Sequence, residues 1–77
     1  MDIPIIDECS YRLKKAGWSI GDVGFMMASG TCWLVTCQNG EHVVQTEGET
    51  QATAWQLAAE NAEALGMFYQ GPIEGLP

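Results

Sequence analysis

Seventy-seven residues with an apolar fraction of 47% are enough for one small domain with a modest core and too few for two. Ten acidic side chains against three basic ones give a net charge of −7, and the basic residues Arg12, Lys14 and Lys15 are followed by no further Lys or Arg, which excludes a broad phosphate-binding surface. No apolar run approaches the ~20 residues of a membrane span, and "MDIPIIDECSYR" lacks the basic start and long apolar centre of a signal peptide, so a soluble, cytoplasmic chain is expected.

The first predicted element is a helix. Pro4 stands near its start, Asp7 and Glu8 lie early, and Lys14, Lys15 and Gly17 lie at its end, as the helix dipole and glycine capping favour. Ile6, Cys9, Leu13 and Ala16 form its inward stripe, at intervals of three and four residues. After "GWSIGD", the segment "VGFMMASG" reads as a short strand weakened by Gly24 and ended by Gly30, and whether residues 23–28 form a full strand is left open.

"TCWLVTC" and "HVVQTE" flank "QNGE", and Asn-Gly is the favoured pair for a two-residue hairpin turn. A turn centred on Asn39 and Gly40 places Cys37 opposite His42, Val35 opposite Val44 and Trp33 opposite Thr46. One sheet face then carries Trp33, Val35, Cys37, His42, Val44 and Thr46. The other carries Cys32, Leu34, Thr36, Gln38, Glu41, Val43, Gln45 and Glu47, the wetter set.

The last element is a helix from Thr50, its N-cap, to Gly66, with Glu47 and Glu49 near the positive end of its dipole. Trp55, Ala58, Ala62 and Leu65 form its inward stripe. Leu57 and Ala64, with Ala54 at the edge, fall on the other side. Met67, Phe68 and Tyr69 either fold back on the core or meet a partner, and residues 70–77 are expected to be a flexible tail beyond a domain of residues 1–69.

The predicted fold is therefore α+β: a small α-β-β-β-α (or α-β-β-α) domain with an antiparallel sheet and two helices on one face. Its expected core is Ile6, Cys9, Leu13, Trp33, Val35, Val44, Trp55, Ala58, Ala62 and Leu65. "GETQATAWQLAA" fits the frame G-x-[ST]-x-x-x-A-x-x-x-A-A and resembles the start of the last helix of double-stranded-RNA-binding domains. The resemblance implies the scaffold alone. The positions of that family's phosphate-gripping lysines hold Gln51, Ala52 and Trp55. "VVQTEGETQATAWQLAAENAEAL" also resembles HicB-type antitoxins, with Thr53 and Ala54 where Glu-Ala would stand, which implies inhibition of a basic protein partner. The pattern of Trp-x-Val, hairpin, Gly-x-Thr and an alanine-rich helix is similar to that of small bacterial proteins with no assigned activity.

Three cysteines and one histidine form the ligand set of some zinc sites. However, Cys9, Cys32, Cys37 and His42 lack knuckle spacing, and Cys32 and Cys37 belong to opposite faces, so no metal or other cofactor is expected. Cys37 opposite His42 offers a thiolate-imidazole pair, the basis of an alternative reading as a small thiol enzyme or redox protein. A residual reading is RNA binding through Arg12, Lys14 and Lys15. The leading expectation is a non-catalytic protein-interaction or regulatory module, with self-association favoured and no nucleic-acid or membrane partner expected. Its candidate surfaces are Leu34 with Val43, Leu57 with Ala64, and Phe68 with Tyr69.

Overall fold

The computed structural model describes residues 5–73, so Pro4 and the last four residues of the expected tail lie outside the described residues. Helix α1 (Ile5–Lys15) is followed by strands β1 (Ser19–Met27), β2 (Gly30–Asn39) and β3 (His42–Gly48) and by helix α2 (Gln51–Ala64). The strands form one antiparallel sheet in the order β1-β2-β3. The chain is therefore an α-β-β-β-α domain of the α+β class, a slab of 40 × 35 × 17 Å.

Both helices lie on the face that carries Val35, Cys37, Val44 and Thr46, all buried. From α1 that core receives Cys9 and Leu13, flanked by Ile6 and Ala16, as the stripe predicts. From α2 it receives Ala54, Trp55, Ala58, Ala59 and Ala62. This stripe is broader than predicted, and Ala54, expected at the edge, is completely buried. The reason is that α2 packs on two sides at once, against the sheet and against α1, and alanines let its backbone approach both.

The two helices end alike. Gly17 and Gly66 adopt positive φ, and the backbone N–H groups of Trp18 and Met67 reach back to the carbonyls of Leu13 and Ala62, each at 3.0 Å. Trp18 Nε1 then donates to Met67 O at 2.7 Å, tying one helix end to the other and burying the Trp18 indole. Because this turn brings Met67 and Phe68 onto the core, Leu65 is displaced from the inward position expected of it and is 48% exposed.

Strand β1 begins at Ser19, earlier than the expected Val23, and runs through Gly21 and Gly24. Gly24 is explained by its neighbour on β2: a Cβ there would sit 3.0 Å from the Trp33 ring. The residue that weakens the local strand signal thus makes room for an indole laid across the strand.

The β2–β3 hairpin differs from the Asn-Gly expectation by two residues of register. Asn39 pairs with His42 and the turn is Gly40-Glu41, with positive φ at Gly40 only. The Asn39 side chain instead donates Nδ2–H to Ala16 O at 3.0 Å, satisfying a carbonyl left open at the end of α1. A two-residue slip leaves every side chain on its predicted face but changes its partner. Cys37 stands opposite Val44, Val35 opposite Thr46 and Trp33 opposite Gly48.

Past α2, Arg12 Nη1 donates to the carbonyls of Tyr69 (3.1 Å) and Gly71 (2.7 Å), and Tyr69 OH donates to Pro72 O. The chain is thus held against α1 as far as the start of the expected tail. Among the described residues, no helix is long and apolar enough to cross a membrane.

Candidate functional site

With both helices on one side, the other sheet face is bare. The pairing directs Ser19, Gly21, Val23, Phe25 and Met27 of β1 to this face. They join Cys32, Leu34, Thr36 and Gln38 of β2 and Val43, Gln45 and Glu47 of β3. Val23 lies opposite Leu34 and Phe25 opposite Cys32, so the half nearer the β1–β2 turn is an apolar patch continued by Met27. Phe25 is 40% and Val43 62% exposed, and no described part of the chain covers them. The predicted wet face is therefore polar only in its other half, around Thr36, Gln38 and Gln45. On the helix side, Met26 of β1 is exposed.

The other candidate surfaces are placed differently. Leu57 is 37% exposed and lines a shallow groove with Cys9, Gln56 and Glu60, whereas Ala64 lines another beside β3 with Val43, Val44 and Leu65. The two residues stand two turns apart on α2 and border different grooves. Phe68 packs against the core, and Tyr69 meets the Tyr11 ring edge-on at a centroid distance of 6.0 Å.

The paired arrangement of Cys37 and His42 is not formed. Cys37 is fully buried on the helix side with Val44 as its cross-strand neighbour, while His42 is exposed beside the turn. Burial pushes the Cys37 thiol up to about 11, away from the thiolate a nucleophile needs. The Cys9 thiol is raised as well, first by burial and then by the nearby Glu8 carboxylate, with Arg12 opposing. Cys32 is the half-buried thiol and belongs to the bare face. No group of three His, Cys, Asp or Glu side chains among the described residues is placed to hold a metal ion.

The basic cluster is largely engaged within the molecule. Arg12 pairs with Glu8 at 3.3 Å and with the two C-terminal carbonyls, and Lys15 Nζ lies 6.0 Å from the centre of the Tyr69 ring. Of the positions that hold lysines in the resembled RNA-binding family, Gln51 and Trp55 turn to one carboxylate. Asp22 Oδ2 accepts from Gln51 Nε2 at 2.6 Å and from Trp55 Nε1 at 3.1 Å.

Asp22 was not singled out by its sequence context. A lone acid in "SIGDVG" gains its role from pairing opposite Val35, which sets it beneath the start of α2. Trp18 was missed for a similar reason, since its partner carbonyl lies 49 residues along the chain. Compared with known proteins, the chain matches no family model, none of the curated proteins and no solved structure.

Proposed function

We propose that this chain is a non-catalytic protein-interaction module that works through the bare face of its sheet. The observation that carries this reading is the contiguous group of exposed Val23, Phe25 and Met27 with half-buried Cys32 and Leu34 beside them, which no described residue covers although the helix side is closed. Contiguous exposed apolar area of this kind is costly in water and marks sites where another surface docks. The raised, buried Cys37 thiol set apart from His42 and the internal engagement of Arg12 and Lys15 favour a protein partner over a substrate or a nucleic acid.

The test is the size of the native assembly in gently lysed cells that make the protein. The reading predicts a particle larger than the 8.4 kDa chain that Phe25→Thr reduces to monomer size while the purified variant keeps a folded circular dichroism spectrum. A wild-type chain that sediments as a monomer in those extracts refutes it.

A further inference from the structure

We infer that the partner seated on the bare sheet face is a second copy of this chain, the two sheets stacking face to face about a twofold axis. This rests on the proposed function and adds the identity of the partner.

The first argument is charge. The chain has a net charge of −7, yet of all the side chains that the three strands direct to this face only Glu47 is charged, and it lies on the edge strand β3. The other acids among the described residues are elsewhere. Asp7, Glu8, Glu60 and Glu63 are on the helices, Asp22 is on the helix side of β1, and Glu41 and Glu49 are in the connections. Two copies meeting through their helix layers bring like charges together, whereas two copies meeting through their sheets do not. A basic partner would have its complement on the helix layer and almost none on this face. The surface that carries a single acid, at its edge, in an acidic chain is the one on which an identical acidic chain can dock.

The second argument is extent. Three strands of about nine residues, rising about 3.3 Å per residue and spaced about 4.8 Å apart, lay out roughly 400 Å² of flat sheet. Side chains standing off that plane raise it towards the roughly 800 Å² per partner of a standard interface. An identical sheet matches the face along both directions. Stacking at about 10 Å between layers turns Val23, Phe25 and Leu34 of each copy into the middle of a small sandwich core. The contact is self-complementary, as a closed dimer requires.

The test uses the purified full-length chain. Sedimentation at tens of micromolar is expected to give about twice the 8.4 kDa chain mass. Leu34→Lys is expected to weaken the dimer by at least about tenfold with an unchanged circular dichroism spectrum, because the new ammonium lies opposite Glu47 on the neighbouring strand. Val43→Lys, at a position already exposed, serves if Leu34→Lys does not fold. A short bismaleimide is expected to join Cys32 to Cys32 of the other copy in wild type and not in the lysine variants.

A purified chain that is monomeric at about 200 µM overturns the inference. If the assembly in cell extracts is nevertheless large and sensitive to Phe25→Thr, the interaction-module reading stands and the partner is a different protein. A dimer that neither lysine variant weakens also overturns the inference, since it forms through another surface.

Discussion

The two faces of the sheet carry similar side chains under opposite conditions. On the helix side, Val35, Cys37 and Val44 are sealed beneath the alanines of α2 and Leu13 of α1. On the other side, Val23, Phe25, Leu34 and Val43 occupy the same strands with no described element above them. A side chain's hydrophobicity is thus not what makes it core, since only the helix side has elements of this chain to close over it. The contrast separates residues that hold the monomer together from residues whose burial must come from outside it.

The sharpest test of the contrast is Leu13→Ala. Leu13 is completely buried, and its truncation is expected to cost about 2–5 kcal/mol in urea unfolding, a large part of the stability of a domain this small. A smaller loss marks the contact between the end of β3 and the start of α2. Here a Cβ on Gly48 would stand 2.8 Å from the Ala54 backbone nitrogen, so Gly48→Ala is expected to lower stability by about 1–3 kcal/mol. A Gly48→Ala protein as stable as wild type would mean that β3 and α2 can separate freely.

A pH series probes the sealed side alone. The folded state raises the Cys37 thiol from the ordinary 9.0 to about 11, so between these values the unfolded chain has lost a proton that the folded chain keeps. This contribution to stability is therefore complete below pH 9 and is lost as the pH rises from 9 to 11. Denaturant midpoints at pH 8 and pH 10.5 are expected to show the decline, and Cys37→Ala is expected to reduce it, with the raised thiol of Cys9 leaving a remainder. The smallest effect belongs to the open side. Val43→Lys is expected to change the stability of the monomer by no more than about 0.5 kcal/mol, in contrast to its effect on association. A large loss of monomer stability would show that the open face supports the fold.

Much of this division can be read along the chain. The alternation of Trp33, Val35 and Cys37 and of Val44 and Thr46 assigns β2 and β3 to their faces. That assignment survives the wrong hairpin register because a slip of two residues preserves it. The slip itself is set by a tertiary bond, Asn39 to Ala16, which outweighs the preference of Asn-Gly for the turn. The apolar character of the open face was hidden because three of its members are on β1, whose start is masked by Gly21 and Gly24. Pairing with β2 is what puts Val23, Phe25 and Met27 beside Leu34, and no local pattern contains that pairing. Ala54 and Ala59 were missed because a helix that packs on two neighbours at once buries a wider arc than a single stripe.

The bond from Trp18 to Met67 also bears on synthesis. The ribosome delivers α1 and the whole sheet before the second helix, yet α2 supplies the alanines and Trp55 that complete the cover of the sheet, and the carbonyl that receives the Trp18 indole comes later still. A nascent chain that has not yet released α2 therefore leaves the part of the sheet that α2 covers open to water. The bond joining the two helix ends is made only after all five elements have been translated.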